Sequence, residues 1–274
     1  MDTKRFSLDT TLTLIAAYLG LFVGLIDANA INLALPAIRD SLGGGISGAQ
    51  WTIDAYNITF AAVLLTAGSL GDRFGRRTLL RVGLVTFIAA SLVCAAAPSL
   101  PLLLAARAVQ GVGAAVMLPQ GLAITAAAFP NVIERARATA AWAMAAAMST
   151  AIGPILGGVL TDNLGWRYVF WLNAPVGVLA LLMTYRYLPE SRDPDADAAS
   201  FDVGGQTLAM LGLGALTIVL VEGATMAPAW TVALAVVAVA AIAAFVGSQR
   251  RVRCCPLSCS VAVGWWPRWW RRSP

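Results

Sequence analysis

The sequence predicts an all-α protein that crosses a membrane eight times. Three observations carry that expectation. Of 274 residues, 59% are apolar and only 12% charged, where a soluble domain carries about 25%, and the mean hydropathy is +0.75. The apolar residues gather into runs of about 18 or more, the length that spans a hydrocarbon core of about 30 Å. Basic residues then alternate along the connections. Lys4, Arg5, Arg73, Arg76, Arg77, Arg81, Arg135, Arg137, Arg186, Arg192, Arg250, Arg251 and Arg253 fall at the N-terminus, in every second loop and after the last run, whereas the other loops hold Arg39 and Arg167. By the positive-inside rule both termini are cytoplasmic. The net charge of +5 is therefore a topology signal and not the footprint of a nucleic-acid partner.

The first run, Leu12 to Pro36, follows Lys4 and Arg5 and imitates a secretory signal ending at Ala28-Asn29-Ala30. It is too long for a signal core, contains Asp27 and is followed by further spans, so it reads as a helix that stays in the membrane. An ionised carboxylate there costs about 2.5–3.5 kcal/mol on insertion scales. Asp27 should face the bundle interior, to exchange a proton or meet a cationic substrate, or to serve as a structural carboxyl bonded to Asn29, Asn32 or a neighbouring helix. The second run, Trp51 to Leu70, opens with Asp54 and Asn57, which either line an external vestibule or cap and anchor the helix. The third, Leu79 to Ala97, holds Cys94 as a small apolar residue. In the fourth, Leu102 to Ala126, Arg107 is the one basic residue inside a span, and Gln110 lies three residues on, on the same helical face. Snorkelling to the headgroups is the alternative to a functional role.

The fifth run, Ala138 to Leu160, carries Gly153-Pro154-Ile-Leu-Gly157-Gly158. The Gly-xxx-Gly spacing lets another helix approach closely, and Pro154 removes a backbone hydrogen bond and should kink the helix. That combination suits either a helix that rocks against its neighbour or tight static packing. The sixth run is Val169 to Tyr187, the seventh Val203 to Val221 and the eighth Trp230 to Val246.

An internal repeat underlies this order. Gly68-Ser-Leu70-Gly-Asp72-Arg-Phe-Gly75-Arg-Arg77 and Gly158-Val-Leu160-Thr-Asp162-Asn-Leu-Gly165-Trp-Arg167 share five identities at a constant offset of 90 residues. Three helices separate the copies, so they face opposite sides of the membrane. This is the trace of a 3+3 inverted repeat, found within each six-helix half of some secondary transporters, unless two short Gly-rich loops match by chance.

Other classes are excluded by what is missing. The chain has no His, which removes imidazole metal sites and Ser/His or Cys/His catalysis. Its single lysine, Lys4, is not in a Gly-Lys-Ser/Thr loop, so it has no Walker-type nucleotide site. Transport, if any, draws on an ion gradient. No nucleophile is paired with a base, so no enzyme is expected.

Together these segments resemble the major facilitator superfamily, specifically its drug/proton antiporter branch with fourteen helices, over about residues 10 to 250. GSLGDRFGRR at 68–77 is similar to the superfamily's signature loop, RAVQGVGAA at 107–115 to its fourth-helix motif and AIGPILGGVL at 151–160 to the antiporter motif. IDANAINLALP at 26–36 and WRYVFWLNAPVG at 166–177 also suit the branch, although Ala28-Asn29-Ala30 stand where it usually has threonine and valine. The resemblance implies a six-helix major facilitator bundle at 1–187, a cytoplasmic loop at 188–202, two linker helices at 203–249 and a basic Trp/Cys tail at 250–274. It implies proton-coupled efflux of small amphiphilic molecules or drugs at the cell membrane, and hence antibiotic resistance. The partners implied are the bilayer, protons, substrate and a second six-helix half; no cofactor or metal is implied. Asp72, Arg73, Arg76 and Arg77, with Gly68 and Gly75, would form the cytoplasmic gate. Arg107 would take part in proton coupling, Asp27 would bind proton or substrate, and Gly153, Pro154, Gly157 and Gly158 would shape the antiporter interface.

The tail, RCCPLSCSVAVGWWPRWWRRSP, fits neither a helix nor an ordinary loop. Its paired Trp residues and Arg would suit an interfacial anchor. A shifted reading frame from Arg253 instead forces Leu across Cys254/Cys255, followed by Pro, apolar residues, Phe and several Arg, as the family continues. A frameshift near Arg253 is therefore expected, and the gene's nucleotide sequence tests it. The rival functional reading is a truncated, non-transporting membrane protein, or a half-transporter that needs a partner.

Overall fold

A computed structural model describes residues 8–129, 131–188, 190, 203–223 and 226–253. The expectations for Lys4, Arg5, Arg192, the loop at 191–202 and the tail at 254–274, including Cys254, Cys255 and Cys259, lie outside the described residues. The described chain forms eight α-helices: α1 Leu8–Leu42, α2 Gly45–Phe74, α3 Arg76–Ala96, α4 Leu100–Ala128, α5 Val132–Asn163, α6 Arg167–Tyr187, α7 Val203–Glu222 and α8 Pro228–Arg253. All eight are long and apolar enough to cross a bilayer. Several outrun the apolar stretches that predict them, because helix formation needs only internal hydrogen bonds and continues into the polar interface. Thus α2 runs through Gly68 to Phe74, and α1 through Pro36 to Leu42.

The chain divides into two compact units, residues 1–200 and residues 201–274. The first holds α1 to α6. Here α1 packs against α5 and α6, as α4 packs against α2 and α3, the pairing that a three-helix repeat predicts. The two repeat loops also share a backbone. Gly75 has φ 98° and Gly165 φ 99°, in the left-handed region that favours glycine, and each turns the chain from one helix into the next. The second unit is the antiparallel pair α7 and α8, in contact through Gly212 and Ile242.

The core of the six-helix unit lies in two apolar clusters. One gathers Leu14, Tyr18, Val23, Leu80, Leu84, Phe87, Ala114, Met117, Ile124 and Ala180. The other gathers Ile26, Ile31, Ile38, Cys94, Leu103, Ala106, Val169 and Phe170. Along α1, α3, α4 and α6, one cluster gives way to the other between residues 23 and 26, 87 and 94, 106 and 114, and 170 and 180. The polar residues described below occupy or adjoin those four breaks.

Candidate functional site

A buried polar layer lies between the two apolar clusters. Asp27 of α1 and Arg107 of α4 are both fully buried, with zero exposure, and Arg107 Nη1 donates to Asp27 Oδ2 at 2.6 Å. The same nitrogen donates to Gln110 Oε1 at 2.8 Å, and Arg107 Nε donates to the Thr52 carbonyl at 3.0 Å. The guanidinium also stacks on Tyr56 of α2, 4.4 Å from the ring centre, and approaches Phe170 of α6 at 5.8 Å. Asp27 Oδ1 accepts from Gln110 Nε2 at 3.0 Å and from Asn173 Nδ2 of α6 at 2.6 Å. Ser91 Oγ of α3 accepts from Gln110 Nε2 at 2.8 Å and from Asn173 Nδ2 at 3.3 Å, and itself donates to the Phe87 carbonyl at 2.8 Å.

Five helices therefore converge on one carboxylate and one guanidinium. A charge moved alone into such a site costs several kcal/mol, so opposite charges at contact distance, each also hydrogen-bonded to neighbouring polar groups, are the arrangement that a low-dielectric interior tolerates. Chemically, the layer presents one buried carboxylate whose charge is met at contact distance by the Arg107 guanidinium, so a change in the place or charge of either group acts directly on the other.

The spacing on α4 places Arg107 and Gln110 on one face, as expected, but nothing in the sequence paired Arg107 with Asp27. Arg107 does not snorkel. Asn29 and Asn32 do not bond Asp27 either; they donate to backbone carbonyls of their own helix, at Leu25 and at Ala28 and Asn29. Asp54 is buried and Asn57 exposed, and neither caps α2, whose N-cap is Gly44. The contribution of α2 to the layer comes instead from the Thr52 carbonyl and the Tyr56 ring. Ser91 and Asn173 were missed as site residues. Asn173 carried the same signal as Asp27, a polar side chain inside an apolar span, whereas a backbone carbonyl leaves no trace in sequence.

At the signature-loop end, Asp72 and Arg76 pair across one helical turn, with Arg76 Nη2 donating to Asp72 Oδ1 at 2.8 Å. Arg76 Nη1 also donates to the Ala123 carbonyl of α4 at 3.3 Å. Glu190, beyond α6, caps the start of α3: its carboxylate accepts from Arg77 N at 3.1 Å and from Thr78 Oγ1 at 2.8 Å, a favourable place for negative charge. The Arg73 guanidinium lies over the Phe74 ring at 6.0 Å. The glycines divide unexpectedly. A Cβ on Gly68 would meet nothing nearby, whereas one on Gly71, not singled out by sequence, would run into the Gln120 amide, which donates to the Ala67 carbonyl at 2.9 Å.

On α5, Gly153 and Gly157 lie against α1 at Asn29 and Ala30, within one turn of Asp27, and Gly158 faces open space. The helix continues through Pro154 to Asn163.

The family model of the Major Facilitator Superfamily matches residues 17–249. The chain belongs to the major facilitator superfamily. Among curated relatives, it is 42% identical over 212 residues to the Multidrug resistance protein Stp of Mycobacterium tuberculosis, covering 77% of this chain and 39% of that protein. It is 38% identical over 210 residues to the Methylenomycin A resistance protein of Bacillus subtilis, covering 77% of this chain and 44% of the relative. The matched segment thus spans under half the length of these relatives. Solved superfamily structures share the fold. The human organic anion transporter MFSD10 aligns with TM-score 0.58 at 18% identity, covering 76% of this chain and 54% of that one. The xylose transporter XylE from E. coli aligns with TM-score 0.56 at 16% identity, covering 83% and 58%. The six-helix unit is accordingly an N-terminal major facilitator bundle, in a multi-pass membrane protein.

Proposed function

We propose that this chain carries the proton-handling bundle of an exporter that exchanges protons for small amphiphilic molecules, drugs among them, across the cell membrane. The observation that carries the proposal is the fully buried Asp27–Arg107 pair, held by Gln110 and Asn173. Protonation of Asp27 cancels the charge facing Arg107. An uncompensated buried guanidinium is worth several kcal/mol of strain, enough to drive the bundle from one packing to another, and a cationic substrate reaching Asp27 would compete for the same carboxylate. The names of relatives, a multidrug resistance protein and a methylenomycin A resistance protein, support drugs as the substrate class. Basic residues in alternate connections support cytoplasmic termini, which would set Asp72, Arg73, Arg76 and Arg77 at a cytoplasmic gate. In this reading α7 and α8 are linker helices, and Gly153 and Gly157 let α5 bear on α1 as it moves.

The test is pH-gradient-driven drug movement in liposomes containing this chain. Flux that collapses with the gradient and is lost in Asp27→Asn supports the proposal. Absence of flux from a folded, inserted chain overturns it for this chain alone. A second reading, a half-transporter that works only against another bundle, is favoured by Gly68 of α2 and Gly158 of α5, small residues that meet no neighbour. Flux restored only by adding a second six-helix bundle would support it.

A further inference from the structure

We infer that Asn173 is a positioning residue that lets Asp27 hold or lose a proton by turning its amide through half a turn. The inference rests on the proposed protonation of Asp27. Every neighbour of the Asp27 carboxylate is a donor: Arg107 Nη1 at Oδ2, and Gln110 Nε2 and Asn173 Nδ2 at Oδ1. That suits an ionised carboxylate, which only accepts. Once a proton from bulk water adds to either oxygen, the new O–H needs an acceptor, because a buried donor left facing donors forfeits its hydrogen bond to water with nothing in return.

At Oδ2 the proton would face Arg107, which has no acceptor to offer. At Oδ1 it would face two amides, and they differ. Gln110 is locked at both ends, because Oε1 accepts from Arg107 Nη1 at 2.8 Å while Nε2 donates to Ser91 Oγ at 2.8 Å. Reversing it would set an N–H against the guanidinium. Asn173 is held at one end only: Nδ2 donates to Asp27 and Ser91, while Oδ1, in a side chain 1% exposed, has no hydrogen-bond partner. A half-turn about Cβ–Cγ brings Oδ1 against Asp27 Oδ1, where it accepts the new proton. The Ser91 hydroxyl, now donating to the Phe87 carbonyl, can swing to the same oxygen. The unpartnered position merely changes from an oxygen to a nitrogen, so the turn adds no unmet polar group.

The charged and titratable neighbours of the pair are Arg107 from α4, Tyr56 from α2 and Cys94 from α3. The helices α5 and α6 bring no ionisable side chain into this hydrogen-bonded cluster. Tyr56 packs on the guanidinium face, and the Cys94 thiol points to Gln110 Oε1 at 3.8 Å. Among the described side chains bonded to Asp27, Asn173 is thus the one free to answer a change there by exchanging donor for acceptor.

The test is infrared difference spectroscopy of the whole chain in lipid nanodiscs, between acid and alkaline pH. Wild type should show a protonated-carboxyl band that is absent in Asp27→Asn. In Asn173→Leu, which keeps the branched four-atom side-chain skeleton but has no acceptor, that band should move to higher wavenumber, since it loses a hydrogen bond. In Asn173→Ser, whose hydroxyl can donate or accept, it should stay near the wild-type position. Labelling asparagine with carbon-13 adds a readout that needs no substitution at Asn173, because one side-chain amide band should shift together with the Asp27 band and stay still in Asp27→Asn. A carboxyl band unmoved in Asn173→Leu, or an amide band that ignores Asp27, overturns the amide switch and leaves the proton reading standing. Absence of any Asp27-dependent carboxyl band overturns the proton reading and the switch with it.

Discussion

Arg107–Asp27 and Arg76–Asp72 are the same chemical pair at similar distances, 2.6 Å and 2.8 Å, but the first has side chains 1% and 0% exposed and the second 18% and 41%. The buried pair is assembled from α1 and α4, far apart in sequence, and shares its oxygens with α6. The other pair spans one turn where α2 meets α3 and keeps a wet side. What differs is the cost of separating the charges. In the dry layer neither charge can be left alone, so the pair behaves as a unit that changes state together. At the loop, water takes over whatever the partner gives up, so the pair can open and close cheaply. The proposed coupling element at Asp27–Arg107 and the proposed gate at Asp72–Arg76 need those opposite properties.

The largest break in the contrast should come from the dry pair. Asp27→Ala leaves Arg107 buried and uncompensated and should cost about 3–5 kcal/mol, measured as a fall in unfolding midpoint in nanodiscs. The double variant Asp27→Leu with Arg107→Met should recover most of that stability while transport stays lost. If the double variant is as unstable as the single, the pair is not what makes the site costly.

Next in size is the clamp beside it. Gly157→Leu should force α5 away from Ala30 and cost about 1–3 kcal/mol by overpacking, whereas Gly158→Leu, facing open space, should stay within about 0.5 kcal/mol of wild type. Equal effects at the two positions would contradict the packing of α5 on α1.

The two repeat glycines give a smaller and more pointed comparison. Gly75→Ala and Gly165→Ala both force a side chain into the left-handed region and should each cost about 1 kcal/mol. Gly75 should be the more sensitive, since its new Cβ would also press on the Glu190 carboxylate. Stability curves of the two variants, compared with Glu190→Gln, separate the backbone part from the cap.

The smallest stability change should follow Asp72→Asn, at most about 1 kcal/mol for a partly exposed pair. Its effect should shrink further in high salt, as screening predicts, while the Asp27→Ala effect should not. Drug export should nonetheless fall more than stability does. An Asp72→Asn chain as unstable as Asp27→Ala would remove the distinction between the two pairs.

Much of the fold was legible before the structure. Span number and order follow from hydropathy because each helix satisfies its own backbone in lipid. The repeat follows from glycines whose backbone role fixes their identity, and Gly75 and Gly165 share one φ for that reason. The site was legible only in its charged members. Asp27 and Arg107 stand out because a charge in a span is expensive, and Gln110 because it shares the face of Arg107. Asn173 and Ser91 do not stand out, since one hydroxyl or amide in an apolar helix can satisfy itself against its own backbone, as Asn29 does. Nothing local distinguishes Gly68 from Gly71, three residues apart; only Gln120, arriving from α4, does.

Local chemistry thus accounts for the eight described membrane-length helices, the repeat and the charges that must be hidden, because hydropathy, glycine backbone freedom and the cost of burying charge are properties of a residue and its near neighbours. Packing between helices supplies the rest: Asp27 meets Arg107, Gln110 is locked while Asn173 is not, and Gly157 rather than Gly158 bears on α1. Those are matters of which face of one helix meets which face of another, and helix rotation and register are fixed by packing across the whole bundle rather than by any segment alone.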